Sequence, residues 1–309
     1  MANWTTVRVK AKNPQVFAEK FLSPYSEEEI KDEKNITDSG DELSKRVDFE
    51  KLIPTPQDLQ IESGAGSYKN EVEYFPFQEE QISRQKETIT PLLEKTYEKG
   101  MTQDAYVRVT LPIALANKDR FIEMYRVRTN KEENTLEDIT IVLKGFYNFK
   151  TYGSVDWYDY HCKHWGTKWN AVTFYVDEER GFAEFQTAWG CPFEILQELA
   201  KHTDISVSYV NEDMLSGYGV FSIDTNGNVT DHIVCTPYRE LNQMQKIDAI
   251  ATATALTMGE IYDINEQTFG NYEDDELTQF YGMSREEVLK VAQKSVEEVQ
   301  EILVELDLC

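Results

Sequence analysis

The order of elements between Ala171 and Asn228 constrains this chain most. Ala171–Val176 and Gly181–Thr187 are rich in β-branched and aromatic residues, and Asp177-Glu178-Glu179-Arg180 between them reads as a hairpin. Pro192–Ala200 follows as a short amphipathic helix, and Ile205–Val210 and Gly219–Ile223 read as two further strands. Thr225-Asn226-Gly227-Asn228 then supplies an Asn-Gly pair, the strongest short-range hairpin signal. Near the start, Thr5–Ala11 has the near-alternation of a half-buried strand. Asn13-Pro14 supplies an N-cap with proline at the first helical position, and Val16, Phe17, Phe21 and Leu22 share one helical face until Pro24.

Between these two stretches the pattern is weaker. Ser26–Glu42 is charged and reads as a solvated loop or short exposed helix. Val47–Ile53 runs into Pro54 and Pro56, which prevents a regular central strand. Ser63-Gly64-Ala65-Gly66-Ser67 is a break. From Tyr68 to Gly145 we expect helix near Glu79–Lys99 and Lys118–Tyr125, and strand at Ala105–Leu111 and Asp138–Leu143, as in an inserted subdomain. The C-terminal part is helical. Glu240–Met258 has mixed helical spacing, Asn271–Glu276 is an acidic break, and Ser284-Arg285-Glu286-Glu287 is a capping box. It opens a helix with Leu289, Ala292, Val296, Val299, Leu303 and Leu306 at 3-4-3-4-3 spacing, a seam of three heptads. Such a seam serves a contact between copies or packing on the chain's own core. Val288, Ile302 and Val304 widen the stripe enough for both.

Charge narrows the partners. The 309 residues carry 56 Asp plus Glu against 31 Lys plus Arg, a net charge of −25. Between Glu260 and Cys309 alone there are 14 acidic and 3 basic residues, net −11. A general nucleic-acid binder needs the opposite sign, because its affinity comes from cations displacing condensed counterions. An acidic protein is instead steered towards basic surfaces, including those that normally hold DNA or RNA. No apolar run reaches the ~18 residues of a membrane span, and the N-terminus has no signal-peptide core, so the expected compartment is the cytoplasm.

The chemistry-bearing residues are sparse. Cys162, Cys191, Cys235 and Cys309 are widely spaced, as in a reduced intracellular protein. His161, Cys162 and His164 invite a zinc reading, but no second ligand cluster lies near, and we assign no metal and no cofactor. Cys191 precedes Pro192 at a helix start, where a thiol could be activated, yet no base accompanies it and a buried cysteine is the simpler reading. Ser216-Gly217-Tyr218-Gly219 is too poor in glycine for a phosphate cradle. No catalytic residues are assigned. Trp157, Trp165, Trp169 and Trp189 hold four of the five tryptophans; they could stack bases or sugars, but burial in a core is the reading we favour. Lys168 is the exception, if its ammonium is exposed beside the rings.

Several segments resemble a known family. Asn3-Trp4 and Phe49-Glu50-Lys51-Leu52-Ile53-Pro54-Thr55-Pro56 are similar to its N-W and F-N-K-I-I-P-M-P segments. Trp157-Tyr158-Asp159-Tyr160 with Trp165-Gly166-Thr167-Lys168-Trp169-Asn170 resembles W-Y-D-W…N-W-G-T-K-W. Phe185-Gln186-Thr187-Ala188-Trp189-Gly190-Cys191-Pro192 resembles F-D-T-A-W-S-P-P, departing from it at Gly190-Cys191. These are motifs of the Api-ninety-two-like phage and plasmid proteins, and the similarity spans roughly residues 1–60 and 148–230. The resemblance implies an α+β, ferredoxin-like fold and a mobile-element origin, but no reaction, and the large insertion and the heptad helix lie outside it. Together with the pattern along the chain, we expect a ferredoxin-like domain from residues 1–60 plus 146–235, an α/β insertion at 61–145 and an acidic helical module at 236–309, with 284–308 as candidate oligomerisation helix. The expected function is a non-enzymatic one: binding and inhibiting a host protein complex with a basic surface, in its most specific form an antiphage defence nuclease whose access to DNA is blocked. Acidic side chains would steer, exposed aromatics would hold, and a homo-oligomer would add avidity. No direct contact with nucleic acid or membrane is expected. The alternative is a small-ligand binder or enzyme using the Trp-rich face, with Lys168, His164 or Asp159 as polar groups.

Overall fold

A computed structural model describes residues 3–25, 45–61, 90–117, 136–213, 216–258, 268–269 and 272–308. The expectations for Ser26–Glu42, the Ser63–Ser67 break and Lys118–Tyr125 lie outside these residues. The chain divides into two compact units: Met1–Pro54 with Trp165–Cys309, and Thr55–His164.

The first unit is built on one antiparallel sheet. Strand β1 (Trp4–Ala11) leads into helix α1 (Pro14–Phe21), whose N-cap Asn13 accepts a hydrogen bond from the Val16 amide at 3.2 Å. A small ribbon, β2 (Leu22–Pro24) with β3 (Lys45–Val47), follows. The sheet resumes with β4 (Val172–Asp177), β5 (Phe182–Ala188), β6 (Ile205–Asn211), β7 (Tyr218–Ile223) and β8 (Val229–Val234), in the order β4-β5-β1-β6-β7-β8. Between β5 and β6 lies one helix (Phe193–Ala200). Without β7 and β8 this is two interleaved strand–helix–strand crossovers, β1-α1-β4 and β5-helix-β6, in which each crossover skips one strand. That is the ferredoxin-like topology, extended by the β7–β8 hairpin and interrupted between α1 and β4. The Asn226-Gly227 turn joins β7 to β8 as its sequence indicates.

Period-2 alternation divides the sheet into two buried faces. Val7, Val9, Ala183, Phe185, Ile205 and Val207 face α1 and the 193–200 helix, and Phe17, Phe21, Phe49, Trp165, Ile195 and Leu199 complete that core. Its centre is aromatic: Phe49 lies edge-on to Trp165 and Phe185, with centroids 5.7 and 6.0 Å apart. The opposite face, from Phe182, Val210, Tyr218 and Val220, packs against the C-terminal helices. In the second unit, helices α2 (Thr90–Thr96), α3 (Gln103–Ala116) and α4 (Leu136–Tyr152) enclose Tyr106, Ile139, Leu143 and Phe146, and α5 (Trp157–His164) follows. The remaining helices are α6, the Phe193–Ala200 segment already placed, then α7 (Gln243–Met258), α8 (Asp274–Tyr281) and α9 (Arg285–Glu305).

Three expectations change. Ala105–Leu111 and Asp138–Leu143 are helical, within α3 and α4, not strand. Their β-branched residues suggested strand, but the buried positions Gln103, Tyr106, Thr110 and Ala114 recur at helical spacing, and tertiary burial outweighs a weak local preference. Second, residues 146–164 belong to the unit of the insertion, and 236–309 to the unit of the sheet. Asn148 explains the first assignment: buried in α4, it donates to the Asp58 and Val155 carbonyls at 2.9 Å and accepts from Gln103 at 2.7 Å. Third, the heptad seam is used inside the chain. Ala292, Val296, Val299 and Leu303 are buried, with Leu289 and Leu306 packed beside them, in the core that holds α7 and the sheet. Of the two uses that the spacing allows, packing on the chain's own core is the one the fold makes, and the candidate oligomerisation seam already has an apolar partner.

Two polar ties fix the helical layer. Arg8 of β1 donates through Nε to Glu184 at 2.6 Å and through its terminal nitrogens to the Leu256 and Thr257 carbonyls at 2.6 and 3.2 Å. A cation at the end of α7 satisfies carbonyls that the helix itself cannot, and complements the helix dipole. Losing the guanidinium alone would cost about 3–5 kcal/mol, as for a buried pair with one partner removed. At the far end Asp307 binds both Lys10 and Arg180. Its carboxyl is held below the ordinary carboxylate range by the Lys10 hydrogen bond, against some desolvation, and then by Arg180.

Val296→Asp and Leu303→Asp will each abolish the cooperative melt seen by circular dichroism, because a buried carboxylate there costs at least several kcal/mol. A folded variant of altered mass would place the seam between copies instead. A folded-state value below the unfolded one makes the Asp307 tie fully effective above about pH 4 and loses it as pH falls through the folded value. Asp307→Asn will therefore lower the melting temperature at pH 7 and narrow its gap from the parent as the medium is acidified below pH 4. A gap unchanged with pH would remove the tie's electrostatic account.

Candidate functional site

The family motif residues are divided by the fold. Trp157 lies in the second unit, its ring edge-on to His161 at 5.3 Å. Trp165, Gly166, Thr167, Lys168, Trp169 and Trp189 lie in the first. Trp165 is 1% exposed and donates its indole N–H to the Ile53 carbonyl at 2.9 Å. That bond fastens the Phe49–Pro54 segment to the core. Gly166 follows at φ +74°, a left-handed conformation that favours glycine; a Cβ there would meet only the movable end of the Glu194 side chain. This left-handed turn redirects the chain, and Trp169 emerges at the surface.

There a second aromatic group assembles from three segments. Trp4 begins β1, Trp169 precedes β4 and Trp189 follows β5. Antiparallel register brings Trp4 opposite Ala188, and the Trp189 amide donates to the Asn3 carbonyl at 2.7 Å. Trp4 and Trp169 stack with centroids 6.0 Å apart and planes 30° from parallel. The Lys168 ammonium lies 4.0 Å from the Trp169 centroid and 5.5 Å from that of Trp189, a double cation–π contact. Trp169 is 39% exposed and Trp189 48%. The favoured expectation of buried tryptophans thus holds for Trp165 and fails for Trp169 and Trp189.

Trp189 is also strained. Its φ of +73° is the left-handed region, an outlier for a bulky side chain that costs about 1–3 kcal/mol. Two threonines hold the surrounding backbone: Thr167 donates to the Ala188 carbonyl at 2.9 Å and Thr187 to the Gly190 carbonyl at 2.7 Å. On the neighbouring edge strand, Val172, Phe174 and Tyr175 are exposed as well.

The other candidates disperse. His161 is buried with its Nε2 2.8 Å from the Thr55 hydroxyl, while His164 is exposed against Tyr160. Asp159 pairs with Lys163 at 2.8 Å and accepts from the Val155 amide at 3.3 Å, a structural role. Cys191 sits at the margin of the aromatic core, and burial, reinforced by Glu194, pushes its thiol well above the ordinary range, the opposite of an activated nucleophile. Among the described residues no group of three or more His, Cys, Asp and Glu is placed to hold a metal, and no helix is long and apolar enough to cross a membrane. An open groove of about 400 Å³ lies at the other end of the sheet, lined by Lys10, Asp204, Ser222, Asn228 and Asp307 among others. Sequence reasoning left Trp4 out of the site, since only the register of β1 with β5 brings it beside Trp169.

Residues 164–251 match the family model for the ferredoxin-like domain in Api92-like protein. Among solved structures, the crystal structure of a protein api92 from Yersinia pseudotuberculosis aligns at 11% identity over 75% of this chain and 98% of that one, with a TM-score of 0.29. No curated protein matches the chain. The chain therefore carries the ferredoxin-like domain of Api92-like proteins, as its W-G-T-K-W and T-A-W motifs imply.

At a left-handed position glycine is favoured over alanine by about 1 kcal/mol. Trp189→Gly will therefore be more stable than Trp189→Ala by about that amount in urea unfolding. The reverse order would show that the backbone is not strained in solution.

Proposed function

We propose that this carrier of the Api92-like ferredoxin-like domain acts by binding, without bond-making of its own, and that its partner is a host protein complex with a basic, nucleic-acid-handling surface. In its most specific form the reading is inhibition of an antiphage defence nuclease by occupying the surface that would hold DNA.

The observation that carries this reading is the outer face of the C-terminal helices. Residues 272–308 contain eleven carboxylates, and all eleven side chains are exposed. Arg285, Lys290 and Lys294 are the only opposing cations in that stretch. Arg285 is taken up by Asp274, and Lys294 lies 2.9 Å from Glu298. The uncompensated field therefore belongs to the carboxylates between Glu273 and Glu305 other than Asp274 and Glu298. Within it stand two exposed aromatics, Tyr272 and Phe280, with rings 6.5 Å apart and edge-on. Long-range negative charge raises the association rate with a basic surface, and an aromatic anchor at the centre slows dissociation. The division of labour expected from composition is thus supported on one face.

The buried seam changes one part of the expected assembly. Self-association through Leu289–Leu306 is replaced by packing within the chain, so avidity from that helix is not part of the proposal.

Affinity purification of the tagged full chain from a host carrying defence systems, washed at graded salt, tests the reading. We expect a protein partner whose retention falls steeply with salt and whose nuclease activity on DNA is inhibited. Phe280→Ala will weaken that complex by about tenfold, the typical loss for an aromatic anchor. Capture insensitive to salt and to Glu297→Lys/Glu301→Lys would overturn it.

A further inference from the structure

We infer that β8, at the edge of the sheet, takes an extended basic polypeptide segment as a further strand. A Lys or Arg side chain of that segment sits in the groove beside the end of α9. The inference goes beyond the acidic helical face, because it stands on backbone groups of the sheet. It shares with the proposed function only the sign of the partner's charge.

Three observations converge, and the first is an open edge. Among the described residues β8 pairs with β7 alone, and all of it but Ile233 is exposed. Edge strands are commonly covered, or carry lysine or proline that discourages a further strand. The opposite edge of this sheet is covered: β3 lies beside β4, and the Val47 amide donates to the Thr173 hydroxyl at 3.0 Å. From Asp224 to Cys235 there is no Lys, Arg or Pro, and Val229, Thr230, Ile233 and Val234 are β-branched. A bulge at His232 interrupts the ladder, so the regular edge is Val229–Asp231. The second observation is where its backbone groups point. The Asp224 amide donates to the Asn228 carbonyl at 3.1 Å, and bonded and unbonded pairs alternate along an antiparallel ladder. Thr230 therefore exchanges its bonds with Ser222, while Val229 and Asp231 turn N–H and C=O outward. The third is the groove of about 400 Å³. Lys10, Ser206, Ser222 and Thr230 are successive cross-strand neighbours, and all four line it. A residue opposite Thr230 on an added strand extends this row, so its side chain turns to the groove side. Backbone pairing with alternate side chains in pockets is how sheet edges recognise peptides.

Charge names that side chain. Lys10 binds Asp307 and Lys12 lies 3.1 Å from Asp204, so both lysines of the groove are already paired. Asp224 accepts only from neutral donors, the Asn226 and Asn228 amides at 2.9 Å and the Asn228 side chain at 2.7 Å. No cation among the described residues pairs with Glu305. The groove thus keeps two carboxylates in excess, and an ammonium or guanidinium on a long apolar stem fits it. A second copy of this chain has the wrong sign, with Asp224 and Asp231 at the edge and −25 overall.

Amide hydrogen exchange of the full-length protein by NMR, with and without an acetylated peptide of alternating Lys and Val, tests the proposal. We expect saturable binding and exchange at Val229 and Asp231 slowed about tenfold, with Thr230, already bonded to Ser222, little changed. The same peptide with Glu for Lys, or with Pro for Val, will bind about tenfold more weakly. Asp231→Pro removes an outward amide and no bond to β7, and will weaken the peptide about tenfold. Asp231→Asn keeps that amide and will retain most of the affinity, while Glu305→Gln will lower it about threefold. Should the proline variant fail to fold, the exchange measurement on the parent protein carries the test. Glu297→Lys/Glu301→Lys, which disables the acidic helical face, will leave the slowed exchange unchanged, so that failure of one proposal is distinguishable from failure of the other. No saturable binding, equal binding of the Glu or Pro peptide, or binding without slowed exchange at Val229 and Asp231 would each overturn the inference. So would a dimer of the free protein in light scattering in which those two amides are already protected.

Discussion

Strand β1 is covered on both faces, and the architecture of the first unit depends on this. A strand with one wet face would tolerate a single helical layer. β1 instead presents Val7 and Val9 to α1 and α6, and Arg8 to the end of α7. The second face is thus not simply apolar: it places a guanidinium where α7 has carbonyls to satisfy and β5 has a carboxylate. Desolvating such a charge is favourable only when each donor finds its acceptor. Helix, strand and ion pair therefore specify one another, and the C-terminal helices become part of the domain rather than an appendage.

How much of this was legible in the sequence follows from the range of each signal. Thr5–Ala11, Asn13-Pro14, the 171–223 alternation and the Ser284–Glu287 capping box act over a few residues, and each emerged where the pattern placed it, to within a residue or two. The helices α3 and α4 were hidden, because β-branched runs such as Ile139-Thr140-Ile141-Val142 mimic a strand until the burial of Ile139, Leu143 and Phe146 is known. The seam of α9 was visible as a pattern, but a pattern of apolar residues does not name the surface that covers it.

The tryptophans show the same limit at the candidate site. Trp165 and Trp169 stand four residues apart in one motif and would share a helical face. The left-handed turn at Gly166 separates them instead, one into the core and one to the surface. Glycine was readable there; the direction of the turn was not. Trp4 reaches Trp169 only through the pairing of strands far apart in sequence, so no local signal could have included it.

The excursion between α1 and β4 leaves and returns through a joined gate. Asn170 accepts from the Phe49 amide at 3.0 Å and donates to Asp48 at 2.8 Å, while Trp165 reaches back to Ile53. The two stems are therefore clamped before the 110 residues from Thr55 to His164 begin. Lengthening or shortening that excursion changes the closure entropy only logarithmically and strains no strand of the sheet. The sheet unit is in this sense a socket, its two stems held together by their own hydrogen bonds whatever the length of chain between them.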